Sequence, residues 1–202
     1  MTLWRGKDPL VLASQSRARQ TLLSNAGIEF EAVLADIDER AVQEASGLSA
    51  PGEIAALLAR EKALSVSASR AGKYVVGADQ VLALGFSLFS KPVDRIQAKE
   101  QLRALAGRSH ELHSAVAVTR DDEILFEAMT IAHMTMRQLG EAELDAYLDA
   151  AGEAVTTSVG AYQLEGLGVH LFERIEGDHF TILGLPLLQL LAFLRSEQLL
   201  AI

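Results

Sequence analysis

The stretch that most constrains this chain runs from Lys73 to Pro92, KYVVGADQVLALGFSLFSKP. Tyr74-Val75-Val76 has the composition of a buried strand and ends at Gly77-Ala78, two small residues that allow another group to approach closely. Asp79-Gln80 follow, then a second apolar run, Val81 to Leu84, which turns at Gly85 and reaches Ser90-Lys91-Pro92. A carboxylate at the end of a buried strand and a lysine beyond a hairpin can bring opposite charges to one cleft. That arrangement suits phosphate chemistry with a metal ion. An ordinary hairpin with its Asp and Lys solvated at either end satisfies the same residues.

The chain around this stretch reads as one domain. Its 202 residues can bury roughly 70% of their unfolded surface. The net charge of −9, from 18 basic and 27 acidic side chains, argues against broad capture of nucleic acid or an anionic membrane. Cysteine is absent, which excludes disulfides and thiolate metal sites and suits a reducing cytoplasm. The apolar run at the N-terminus is too short for a signal peptide. The longest apolar stretch, Ile182 to Leu194, is broken by Gly184, Pro186 and Gln189, so no membrane span is expected.

Along the chain, Pro9 to Ala13 reads as a buried strand feeding Ser14-Gln15-Ser16-Arg17-Ala18-Arg19. Ser16 is placed to cap a helix that Gly27 ends. A strand entering a serine-rich turn and a helix start offers N–H groups, hydroxyls and arginine charge to an anion, although such a cluster also serves as a plain cap. A strand is expected over Phe30 to Asp36, with acids clustered at its end in Ile37-Asp38-Glu39-Arg40. A loop follows from Ser46 to Gly52, then a helix from Glu53 that sets Lys62 beside its apolar stripe. Lys62 can reach into a cleft from there, or snorkel along the surface.

Further on, the patterns predict a helix over Asp94 to Ala106 with Ile96, Leu102 and Leu105 on its apolar face. Strands over Ser114 to Thr119 and Glu127 to Met136 are joined by the turn Arg120-Asp121-Asp122-Glu123. A helix over Glu141 to Ala150, a glycine-rich run from Gly160 to Gly168, strands over Val169 to Ile175 and Thr181 to Leu183, and a helix from Pro186 to Leu194 complete the chain. The fold class is α/β (α+β), built on one mixed sheet. His110 and His113, three apart on a strand, face opposite sides. No HExxH, GxxxxGK[ST], GxGxxG or GxSxG sequence occurs.

The order of the motifs is more specific than any one of them. LASQSRARQTLL, DIDER, the helix bearing Glu61-Lys62-Ala63, VVGADQ, SKP, GRSHELHSAV, GAYQLEGLG, IEGD and LGLPL together resemble the Maf family of nucleotide pyrophosphatases, over about residues 9 to 194. The resemblance implies a single Maf-like domain over residues 1–202, with a mixed central sheet flanked by helices and two lobes around a deep cleft, a Maf/ITPase-like fold. It implies a cytoplasmic homodimer that hydrolyses a nucleoside triphosphate to the monophosphate and pyrophosphate with a divalent cation, Mg²⁺ or Mn²⁺.

Carried onto matching positions, the resemblance makes Asp79 the general base or metal-organising carboxylate and Glu39 the second acid, both candidate metal ligands. It makes Lys62 and Lys91 the phosphate-binding lysines, and Ser14, Ser16 and Arg19 the triphosphate loop. Three positions bear on substrate choice. Ala18 stands where the branch acting on dTTP and UTP has an arginine, Gln80 where it has threonine, and Glu165 where it has glutamine. Gln80 and Glu165 instead resemble the branch that hydrolyses 7-methyl-GTP, although that branch often has an aromatic residue in place of Ala18. A carboxylate at Glu165 can accept from guanine N1–H and N2–H₂ and favours a cationic 7-methylguanine ring. A dTTP/UTP pyrophosphatase of the same family, and a non-catalytic nucleotide-binding regulator of cell division, are the competing readings.

Overall fold

The structure is a computed structural model describing residues 3–202. Met1 and Thr2, at the head of the N-terminal run weighed above as a signal peptide, lie outside the described residues. Strand β1 (Leu10–Leu12) is wholly buried, and Ser16 caps helix α1 (Arg17–Asn25) by accepting from Arg19 N. Gly27, at φ +70°, ends that helix as expected. Leu22 and Leu23 are its buried face, each worth roughly 1.5–3 kcal/mol of apolar burial.

Strand β2 is shorter than its pattern suggested, Phe30–Ala32, and the acidic segment after it is helical rather than a strand end. Asp38 accepts from Ala41 N and caps α2 (Glu39–Ser46), and Gly47 closes it in the left-handed region. Helix α2 buries no residue. Helix α3 (Pro51–Ser67) starts two residues before the expected Glu53, because Pro51 presets the first turn.

Strand β3 (Val75–Leu84) is one continuous ten-residue strand that passes through Gly77-Ala78 and Asp79 without ending there. Gly85, at φ +60°, turns it into β4 (Ser87–Phe89), with Leu82 opposite Phe89 and Leu84 opposite Ser87. Asp94 caps α4 (Arg95–Leu105), whose buried face is Ala98, Gln101, Leu102 and Leu105. Ile96, expected on that face, is 72% exposed. Strands β5 (Ser109–Arg120) and β6 (Glu123–Met136) are longer than predicted, and their turn holds Asp121 and Asp122 at φ +51° and +63°. Two successive left-handed residues of this type match the twist of a tight hairpin.

Helix α5 (Glu141–Ala151) is followed by three short 3₁₀ turns, Gly152–Thr156, Val159–Ala161 and Leu167–Leu171. The last replaces the first half of the strand expected over Val169 to Ile175, so β7 is Phe172–Glu176. The strand expected over Thr181 to Leu183 is instead a single helical turn, α6 (His179–Ile182), before α7 (Leu187–Ser196). Four apolar or β-branched residues in a row do not distinguish a strand from a buried helical turn.

The strands form a mixed sheet in the order β2-β1-β3-β5-β6-β7, with β4 on β3. Strand β1 is parallel to β2 and β3, whereas β3–β4 and β6–β7 are antiparallel. The chain divides into two compact units. One comprises the described residues through Gln80, His113–Thr130 and His179–Ile202; the other comprises Val81–Leu112 and Ile131–Asp178. The first has a core of Leu10, Leu12, Leu23, Val76, Val118 and Leu190 among others. The second buries Leu102, Leu105, Met134, Met136, Leu144 and Leu148. Among the described residues, no helix is long and apolar enough to cross a membrane.

Candidate active site

The site in the first unit begins with a glycine. A Cβ on Gly77 would collide with the carbonyl oxygen of Ala59 and lie 2.6 Å from the amide nitrogen of Ala63. The bare backbone at that position lets α3 pack directly on β3. Lys62, one residue before Ala63, is thereby carried to the strand, two residues along from Gly77. Its Nζ donates to Asp79 Oδ1 at 2.6 Å and reaches Glu39 Oε1 at 2.7 Å. Asp79 and Lys62 are only 7% and 9% exposed, whereas the Glu39 side chain, at the start of α2, is 54% exposed. One buried cation thus joins a buried acid to a solvated one.

The turn between β1 and α1 supplies the other charge. Ser14 Oγ accepts from Ser16 N at 3.2 Å and from Arg19 Nη1 at 3.1 Å. Arg19 Nη1 also donates to Ala78 O, and Nε donates to Gly184 O, both at 2.8 Å. The buried guanidinium is held by backbone carbonyls and one hydroxyl, so it contributes charge at the site more than a clamp of spare donors. Burial lowers its pKa, against the pull of the Asp79 and Glu39 carboxylates. Burial likewise pushes the Asp79 carboxyl up from its ordinary range, and Lys62 and then Arg19 oppose that shift. A carboxylate raised in this way is better matched to proton transfer near neutral pH.

Gln80, the next residue on β3, is anchored through its amide. Its Nε2 donates to Ser114 Oγ at 2.9 Å and to the carbonyls of Thr181 and Ile182 at 3.0 Å each. Carbonyls only accept, so the nitrogen must face them, and Oε1 is the atom left to meet a ligand. Together Gln80 and Arg19 hold the segment Thr181 to Gly184. The acceptors in this segment, and Ser114, carry no sequence signal of their own beyond lying in motifs.

The structure brings together Ser14, Ser16, Arg19, Glu39, Lys62, Asp79 and Gln80 in the first unit, with Ala18 half-buried on α1. Lys91 and Glu165 belong to the second unit. Lys91 is exposed between buried Pro92 and Ser90, whose carbonyl accepts from Gln101 Nε2 at 2.9 Å. Glu165 is exposed in the loop between two 3₁₀ turns.

Among the described residues, no three His, Asp or Glu side chains converge as a ready metal cage. Asp79 and Glu39 both meet the Lys62 ammonium, at 2.6 and 2.7 Å, and they are the kind of ligand that Mg²⁺ takes one or two of when substrate phosphates and water supply the rest.

The charges gather beside the middle of β3 in a mixed α/β chain, and its relatives place that chain among hydrolases acting on acid anhydrides. Residues 9–197 match the profile of the family described as Maf-like protein, and the chain belongs to that family. It is 71% identical over 202 residues to a nucleoside triphosphate pyrophosphatase of Bradyrhizobium diazoefficiens, covering 100% of both chains. It is 68% identical to one of Rhodopseudomonas palustris over the same full span. A 7-methyl-GTP pyrophosphatase of Brucella abortus is 50% identical over 192 residues, covering 94% of this chain and 96% of its own.

Proposed function

We propose that the chain takes 7-methyl-GTP as its substrate, within the nucleoside triphosphate pyrophosphatase activity of its relatives. The observation that carries the chemistry is the buried Asp79 held by Lys62 beside Glu39. Asp79 accepts the proton of a water that attacks the α-phosphorus. The bond from that phosphorus to the bridging oxygen breaks, and pyrophosphate leaves. Lys62 fixes the carboxylate, and Arg19 and Lys91 offset the phosphate charge. A divalent ion held by Asp79 and Glu39 would supply further neutralisation of the phosphate oxygens.

The substrate reading is supported by Glu165 and Gln80, and by the 50% identity to the relative named for 7-methyl-GTP. Glu165 accepts from the guanine N–H groups and favours the cationic ring. Uracil and thymine present carbonyls on either side of a single N–H, which a carboxylate repels. A polar group of this kind discriminates by orders of magnitude.

Pyrophosphate release measured across 7-methyl-GTP, GTP, dTTP and UTP, with Mg²⁺ or Mn²⁺, tests the reading. The highest kcat/KM is expected for 7-methyl-GTP, and Asp79→Asn or Lys91→Ala should abolish turnover with the fold intact. If dTTP or UTP is turned over faster, the substrate is wrong. If nothing is hydrolysed, a nucleotide-binding regulator becomes the better account.

A further inference from the structure

The second unit holds a buried polar group that the hydrolytic step does not use. His110 on β5 is 1% exposed, and its Nε2 lies 2.7 Å from the Tyr162 hydroxyl. Tyr162 is also buried and packs edge-on against Phe172, their ring centroids 4.8 Å apart. Burial pushes the Tyr162 hydroxyl up and drops His110 to about 4, so both are neutral at working pH. A buried neutral pair this close is a fixed hydrogen bond rather than a titrating one.

The backbone beside Tyr162 is strained. Gly160 has φ +75° and Ala161, which carries a Cβ, has φ +61°. A Cβ on Gly160 would lie 2.6 Å from Leu82 Cδ1 and 2.8 Å from Tyr162 Cε1, so only glycine fits there. Left-handed backbone at a non-glycine residue persists where surrounding contacts over-determine it, and such strain concentrates at functional sites. Here the contacts are explicit. Tyr147 Oη donates to Ala161 O at 3.1 Å, and Ser158 Oγ donates to Tyr162 O at 2.6 Å.

The loop that follows closes on itself. Gly166 N and Gly168 N both donate to Gln163 O, at 3.2 and 3.1 Å, and a Cβ on Gly168 would collide with that oxygen. Gln163 Nε2 adds a bond to Thr157 Oγ1 at 2.7 Å. Exposed Glu165 sits within this closed loop, and the loop leaves the strained pair through Tyr162.

From this geometry we infer that His110, Tyr162 and Tyr147 are positioning residues for base selection, holding the loop that presents Glu165. The inference rests on the reading of Glu165 given above. None of the three touches the reacting atoms. Their effect is on which base is accepted, through the order of the loop.

Two readouts test it, using Tyr162→Phe, which keeps the ring and removes only the hydroxyl, and His110→Gln, which keeps a hydrogen-bonding group, beside His110→Phe. In hydrogen exchange, protection of the Gly166 and Gly168 amides should fall about tenfold in Tyr162→Phe and His110→Phe, and less in His110→Gln. In kinetics, the 7-methyl-GTP to UTP ratio of kcat/KM should fall about tenfold through KM, with kcat for UTP little changed. Unchanged protection overturns the anchor. Lost protection with an unchanged ratio, or an equal loss for every nucleotide, overturns its role in selection. Glu165→Gln separates the two readings: if it leaves the ratio unchanged, the assignment of Glu165 itself fails, and the exchange data still decide whether the anchor exists.

Discussion

Lys62 Nζ stands 2.6 Å from Asp79 Oδ1, and both groups are buried. Burial raises the carboxyl pKa and the lysine is the largest influence opposing it. With Asp79 as the base, activity is lost as pH falls through this raised value, so the acid limb of kcat/KM lies above the ordinary carboxylate range. Lys62→Met removes the opposing charge. It should lower turnover by at least about 10²-fold and shift the limb of the residual rate to higher pH. A pH profile with the limb in its wild-type place would sink the proposed coupling.

Gly77 is the packing counterpart of that pair. Gly77→Ala forces a methyl against the backbone of Ala59 and Ala63, which cannot rotate away. A loss of about 3 kcal/mol in urea unfolding is expected, with reduced activity as Lys62 is displaced from Asp79. Gly85→Ala is the contrast. Nothing lies within 4 Å of its Cβ, so only the left-handed φ of +60° is penalised, about 1 kcal/mol. Equal losses at the two positions would contradict the close approach of α3.

Gln80→Glu places carboxylate oxygens against the carbonyls of Thr181 and Ile182, where an amide now donates. Losing those bonds and adding repulsion should lower stability by about 2–3 kcal/mol. Stability should recover at acid pH, as protonation restores a donor. Thermal melts between pH 4 and 8 check this, and a pH-independent difference would argue against the amide orientation.

His110 gives a stability signature of its own. Its folded pKa is about 4, below the ordinary 6.5. The unfolded chain therefore binds the extra proton first, so this contribution is complete above about pH 6.5 and is lost as pH falls toward 4. The depressed value corresponds to about 3 kcal/mol across that window. His110→Phe should flatten that part of the curve, as read by denaturant midpoints at several pH values. An unchanged slope would mean that His110 is accessible to protons in the folded state.

Much of the site was legible because its residues sit where local rules operate. Ser16 and Gly27 bracket α1 by capping chemistry, and Val75-Val76 and Val81 to Leu84 carry the composition of a buried strand. Asp79 and Lys62 stand out as charges within apolar runs. Where the reading failed, the local signal was absent or ambiguous. Helix α2 buries no residue, and its marks in the sequence are the Asp38 cap and the Gly47 stop rather than a long apolar run. Gly77-Ala78 looked like a strand end because small residues weaken strand propensity, yet here they admit a helix. Thr181 to Leu183 has a strand's composition but is too short for its period to show.

The sequence by itself determined the mixed α/β class, the caps and the hairpin turns, because each follows from periodicity or from residue type at a short spacing. The acids and lysines proposed to carry the chemistry came from the resemblance of its ordered motifs to a family. Only the tertiary structure decided how those groups are used. That Lys62 serves two carboxylates, that Arg19 Nε and Gln80 Nε2 donate to the segment Thr181 to Gly184, and that His110 holds Tyr162 are contacts between residues from 17 to 165 positions apart. Such contacts depend on how strands and helices pack, and no local pattern encodes a partner that far away.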